Sequence, residues 1–304
     1  MKSRMTSAVW VVVYVLLLLS LFTPLRLITS FFLIVPAAVL YALLPIRQFL
    51  LYIVGVAVVA VIASPVLLLS MIYFLIPGLL MGMAYKRKAP ALQTLMTGTG
   101  VMVAMLLLLL LISTALFQFD LSGYIREIVN QLVAPLQDMT NNNPLTSINW
   151  TDQDTKEVAD ATVAMVPYAL ILTSFLMALI THVVTRPILT AAGMDVPKMK
   201  PAREWRMPRA LIWYYLLAVL IEWIAYGSSG GWATIIAANL IPLINICFVI
   251  QTIGFFFFLT HVRRWNPAIS FLLSALVLVI HPLRIIGIID LAFPLREAIT
   301  KSKR

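Results

Sequence analysis

Charge is scarce in this chain of 304 residues: Lys, Arg, Asp and Glu together make up 11%, where soluble globular domains carry about a quarter. That scarcity excludes a water-solvated globular fold. Cysteine is nearly absent, with Cys247 alone inside an apolar run, so neither a disulfide framework nor a cysteine metal site can be built. The three histidines, His182, His261 and His281, have no carboxylate or cysteine at ligand spacing, and no metal pattern results. Catalytic signatures are missing too: there is no HExxH, no glycine loop with lysine to cradle phosphate, and no nucleophile beside an evident base. The pair Gly98 and Gly100, set among Thr97 and Thr99, reads as a helix-packing surface. No cofactor and no enzymatic activity are expected.

What is present is apolar length. Hydrophobic residues make up 62% and mean hydropathy is +0.99, and successive apolar runs approach the ~20 residues that a helix needs to cross a bilayer core. Continuous runs argue for helices and against a membrane barrel, whose strands alternate. The expected fold class is all-α: a polytopic membrane helix bundle of about eight spans plus a C-terminal helical hairpin, with both termini cytoplasmic. The formal charge of +10 follows from insertion topology and not from nucleic acid, because the basic residues fall between spans. With both termini inside, all but four of the 22 Lys and Arg lie on the cytoplasmic side, the exceptions being Arg26, Arg126, Lys156 and Arg284.

The stretch IYFLIPGLLMGMAYKRK at 72–88 orients the chain. Lys86, Arg87 and Lys88 hold its end in the cytoplasm, while Gly78 and Gly82, four apart, bare one helix face for close approach. Before it, residues 8–22 read as an uncleaved first span, 28–44 as the second and 46–62 as the third. Pro90 opens a fifth span reaching 117, whose Gly98 and Gly100 are expected to meet the glycines of the fourth. A polar external loop, 118–160, follows. Leu121, Ile125, Ile128, Leu132, Leu136 and Met139 recur in it at helical spacing, which predicts a helix on the membrane surface, bent or shortened at Pro135. Asp152 or Asp154 is expected to cap the next helix. A sixth span over 158–185 is kinked at Pro167 and ended by Arg186. The basic segment 194–209 links the six-span module, 1–193, to a C-terminal region, 210–304. That region holds span seven at 210–226, span eight at 232–262 broken near Pro242, and two apolar arms, 267–280 and 285–293, read as the hairpin.

Ionisable residues inside apolar runs are the candidates for function. Glu222 lies about a turn from the outer end of span seven; either it lines a polar cavity with Asn239 and the counter-charge Arg26 or Arg284, or it reaches headgroup water. Asn239, Asn245 and Gln251 fall six apart in span eight, off any single face, and suit interhelical hydrogen bonds. Asp290 is expected to form an ion pair with Arg284 or Arg296 that closes the hairpin.

The C-terminal half resembles the YybS-like family of uncharacterised bacterial multi-pass membrane proteins. The likeness rests on WRMPRALIWYYLL with Trp205, Met207 and Pro208, on Asn239 and Gln251, and on GIIDLAFPLR with Gly287, Asp290, Phe293 and Arg296. Thr252 and Pro294 depart from that pattern. The first half is more loosely similar to the substrate-binding subunits of energy-coupling-factor transporters, through its six apolar spans and the ending PGLLMGMAYKRK. The resemblances imply a protein of the bacterial cell membrane, and the missing motifs predict no catalytic role. Two functions fit it: a solute-binding or transport-associated subunit without its own energy source, taking a small molecule from outside, or a membrane scaffold or regulator. The latter would dock a membrane or cytoplasmic protein partner through its basic loops and the glycine face. Lipid contacts all the spans, and the basic tail from Lys301 to Arg304 suits anionic headgroups.

Overall fold

The computed structural model describes residues 2–141, 150–225, 231–293 and 295–301. The polar turn at 142–149, the glycine turn at 226–230, Pro294 and the last three residues lie outside the described residues. Among the described residues every regular element is helical. Six helices have the length and apolar content to cross a membrane, or seven if one bent pair is a single span. Two segments read as spans from the sequence are shorter apolar helices, Ser7–Phe22 and Ala210–Ala225. The protein is a multi-pass membrane protein with helices as its spanning elements.

Contacts divide the chain into two units. The first comprises Met1–Gln118 and Leu170–Met199. It holds α1 (Lys2–Leu19), α2 (Arg26–Ser30), α3 (Ile34–Leu43), α4 (Ile46–Ala63), α5 (Pro65–Lys86), α6 (Ala91–Phe117) and most of α9 (Val166–Ala191). At its centre is α3, only about 15 Å long, with Ile34, Ala37, Ala38, Val39 and Leu40 fully buried. Lipid is as apolar as leucine, so shape decides how closely helices meet. A Cβ added at Gly78 would sit 2.6 Å from Ala37 Cβ, and one at Gly82 would sit 2.9 Å from the Ala38 carbonyl oxygen. The glycine face of α5 therefore seats α3; α6 packs on α5 as expected, but its Gly98 meets Met81 and not Gly78 or Gly82. Lys86 closes the same seam: its Nζ donates 2.7 Å to the Leu44 carbonyl at the end of α3 and lies 4.5 Å above the Tyr41 ring. A cation there also meets the negative end of the α3 dipole.

The second unit comprises Phe119–Ala169 and Lys200–Arg304. It holds α7 (Leu121–Asn141), α8 (Asp152–Ala164), α10 (Ala210–Ala225), α11 (Trp232–Arg263), α12 (Pro267–Val279), α13 (Ile285–Ala292) and α14 (Leu295–Lys301). The loop helices thus group with the C-terminal helices, where the sequence reading had attached them to the first six spans. The physical reason is Asn239 on α11. Its Nδ2 donates 2.7 Å to the Ala164 carbonyl, and its Oδ1 accepts 2.7 Å from the Tyr168 amide. These bonds satisfy backbone freed where α8 stops and α9 begins. The sixth span is accordingly broken at Met165, and Pro167 stands in the first turn of α9, where a missing N–H costs nothing. Further on, α9 runs past Arg186 through Pro187 to Ala191.

α7 runs unbroken through Pro135, and Val129 and Val133 bury against Ala159 of α8, with Ile125 and Trp150 alongside. The α8 cap is Thr151, not Asp152 or Asp154. Its hydroxyl accepts 3.2 Å from the Asp154 amide, and the Asp154 carboxylate accepts 2.8 Å from the Thr151 amide, a reciprocal capping box. Hydrogen bonds from the Thr151 side chain first and its backbone second hold the Asp154 carboxyl below the usual carboxylate range. α11 continues as one helix through Pro242. Both α12 and α13 pack on α11, and the bend of 113° between them turns the chain back, as in a broken span or a re-entrant loop.

Candidate functional site

The residues proposed for an outer cavity fall in both units, Arg26 in the first and Glu222 and Asn239 in the second. Glu222 is exposed on α10, Arg26 is exposed at the start of α2 in the first unit, and the Asn239 amide is committed to Ala164, Tyr168 and Ile235. Two clefts stand out in the second unit, one of about 400 Å³ between α7 and α8 and one of about 60 Å³ beside Asp290. Glu222 lines neither.

Asp290 is at the centre of a buried network. Arg296 donates to its carboxylate from Nη2 at 2.9 Å and from Nε at 3.0 Å, with side-chain exposures of 4% and 1% for the two partners. Among the described residues no ion pair joins Arg284 to Asp290; its carbonyl accepts 3.5 Å from the Thr252 hydroxyl. Gln251 donates 2.5 Å to Asp290 Oδ2 and accepts 2.8 Å from the Met207 amide. Arg296 also donates 3.1 Å to the Arg203 carbonyl and stacks 5.3 Å over Phe258. Every polar atom of the pair has work, which is the condition for holding two charges out of water. The network ties α11, α13, α14 and the basic segment 200–207 together, and two bare positions permit it. A Cβ at Gly254 would meet the Trp205 carbonyl at 3.1 Å, and a Cβ at Gly287 would meet Thr252 Oγ1 at 2.5 Å. Its chemistry is fully satisfied and internal, so it fastens the unit.

A different polar set, of which the sequence reading named only His182 and Arg186, lies in the first unit on α9. Residues 174, 178, 181, 182, 185 and 189 share one helical face. Ser174, Thr181 and Thr185 on that face are fully buried, and His182 is 2% exposed. The face turns toward α5 and α6. Ala178 would lie 3.1 Å from a Cβ placed on Gly98, and Tyr85 Oη is 3.2 Å from His182 Nδ1 with the rings stacked at 5.8 Å. Gly98 is thus a contact point, held between Met81 and Ala178, while Gly100 faces open space. Ser174 Oγ, Thr181 Oγ1, Thr185 Oγ1, His182 Nε2 and the neighbouring Arg186 Nε are buried without a hydrogen-bond partner. Five such atoms on one stretch of one membrane helix are costly, at about 1–3 kcal/mol for each buried group left unpaired. No ionisable pair or metal cluster accounts for them among the described residues. The available signal was the run of Ser, Thr, His, Thr and Arg at helical spacing; hydropathy averages hide it because serine and threonine score near zero.

Comparison with known proteins agrees with this architecture. A family model described as "Predicted membrane protein (DUF2232)" matches residues 11–291. The uncharacterized protein YybS of Bacillus subtilis (strain 168) is 24% identical over 138 residues, which cover 44% of this chain and 44% of that protein. The alignment thus spans less than half the length of this curated relative. No solved structure matches, and none of these findings supports the likeness to energy-coupling-factor subunits. With nearly its whole length matched and its multiple apolar helices, the chain belongs to the DUF2232 family of predicted membrane proteins.

Proposed function

We propose that the protein is a non-enzymatic, solute-binding or transport-associated membrane subunit without an energy source of its own, and that the polar face of α9 is where solute is met. The supporting observation is the row of unpaired buried groups from Ser174 to Arg186. Polar residues inside a bundle persist against their cost where they serve a pathway or a ligand. Structural hydroxyls in membrane helices are ordinarily satisfied by the carbonyl a turn back, as Thr94 and Thr99 are on α6. The lack of nucleotide and catalytic motifs supports dependence on a partner for uphill movement.

A scaffold role draws less support, because the glycine face of α5 on which a partner was to dock is already filled by α3. Extraction of the protein from its native membrane into lipid nanodiscs, followed by mass spectrometry of everything retained, tests the proposal. A small polar molecule at near-stoichiometric level is expected. Retention of a protein partner with no small molecule would overturn it and restore the scaffold.

A further inference from the structure

We infer that the cleft between α7 and α8 is a second binding site, for a small water-soluble zwitterion: a molecule carrying a carboxylate and an ammonium group a few bonds apart. The cleft measures about 400 Å³, within the ~300–1,000 Å³ usual for small-molecule sites. Ala134 and Ala159 line it as small residues, together with Asn130, Gln137, Asp152 and Lys156.

The charges are arranged unusually. Asp152 precedes Lys156 by four residues on α8, a spacing and order that ordinarily close an ion pair along a helix. No ion pair joins them among the described residues. Asp152 instead accepts from Gln137 Nε2 at 3.3 Å. The other cation at the cleft, Arg126, is neutralised by Asp160 at 3.0 Å. One carboxylate and one ammonium therefore border the same cleft unpaired with each other, with amides between, which is complementary to a ligand bearing both charges.

The helix also selects the source of that ligand. Ile128, Leu132, Leu136 and Met139 form an exposed apolar strip on α7, with Leu132 and Met139 about 70% exposed. A strip of this kind on a surface helix lies against the acyl boundary. The cleft residues 126, 130 and 134 are each offset by two positions from 128, 132 and 136, about 200° around the helix. The cleft thus opens away from the strip, toward water, and a dissolved solute reaches it where a lipid headgroup does not.

The test uses the full chain in detergent micelles, titrated calorimetrically with glycine, alanine and glutamine as zwitterions and with acetate and methylammonium as single-charge controls. At least one zwitterion is expected to bind saturably, with affinity roughly fivefold lower in Lys156→Gln and in Asp152→Asn, as expected for exposed charges. Neither substitution touches a buried side chain, and an unchanged Tm confirms the fold. No saturable zwitterion binding, equal binding by both variants, or acetate binding as well as the zwitterions would each overturn the inference. So would variant-sensitive stabilisation by phosphatidylethanolamine vesicles without any solute effect. The site is independent of the α9 face, so its failure leaves the proposed function standing.

Discussion

Replacing Gly78 by alanine adds one methyl group at the most crowded point of the first unit. The new Cβ would lie 2.6 Å from Ala37 Cβ, 3.1 Å from the Ile34 carbonyl oxygen and 3.2 Å from the Ala38 amide nitrogen. Carbon atoms rest at about 3.5–4.0 Å, so α3 and α5 must separate by about an ångström. Two of the three neighbours are backbone, and α3 is buried on every side, so the strain falls toward the upper end of the ~1–3 kcal/mol typical of overpacking. Alanine recovers about 1 kcal/mol of helix propensity over glycine. The net expectation is a loss of about 2 kcal/mol. Gly100→Ala is the internal control, since nothing lies within 4 Å of its added Cβ, and it should gain up to about 1 kcal/mol. Unfolding of both variants in mixed detergent micelles, followed by circular dichroism, measures the difference, expected at about 3 kcal/mol with opposite signs relative to the parent. A Gly78→Ala protein as stable as the parent would refute the close approach of α3 to α5.

Asp290→Asn leaves Arg296 buried without its counter-charge and should cost about 3–5 kcal/mol, whereas the double variant Asp290→Leu, Arg296→Met should recover most of that loss in the same unfolding assay. Asn239→Ala removes the acceptor of the Tyr168 amide, and hydrogen exchange at Tyr168 should accelerate while amides in the middle of α11 do not change. Thr151→Ala removes the α8 cap and should cost about 1 kcal/mol of local stability, seen as faster exchange at the start of α8. The folded Asp154 carboxyl is held below its unfolded value of about 3.9, so its contribution to α8 is complete above that pH and is lost as pH falls through the folded value. Protection of the α8 amides, relative to their intrinsic exchange rates, should therefore fall on acidification below about pH 4, and Asp154→Asn should weaken that dependence.

Apolar length was legible from the sequence because lipid leaves little choice: runs such as Leu106–Leu111 inside α6 can only be helix in hydrocarbon. The amphipathic course of α7 was legible for the same reason, its apolar positions keeping helical period. Partner choice was not. The glycines at 78 and 82 announce a bare face but not which helix fills it, and α3 does so because Ala37 and Ala38 are also small. Asp290 had two arginines within reach in sequence; Arg296 takes it because its guanidinium, on α14, lies beside Asp290 of α13 and Gln251 of α11. The Ala164–Val166 break was hidden because the residues around it are apolar and helix-compatible, and the signal for it is Asn239, distant in sequence. The polar face of α9 was the largest omission, since its threonines differ from valine by one oxygen atom and only the fold shows that five polar atoms there lack partners.

The decisive measurement is made on Thr181→Val and Thr185→Val, combined in one chain. Valine keeps the shape and removes the unpaired oxygens, so relief of buried polarity should leave Tm in nanodiscs unchanged or raise it. At the same time, the small molecule that copurifies with the parent should be lost. Full retention of that molecule by the more stable variant would contradict a solute role for α9 and leave its polar face without function.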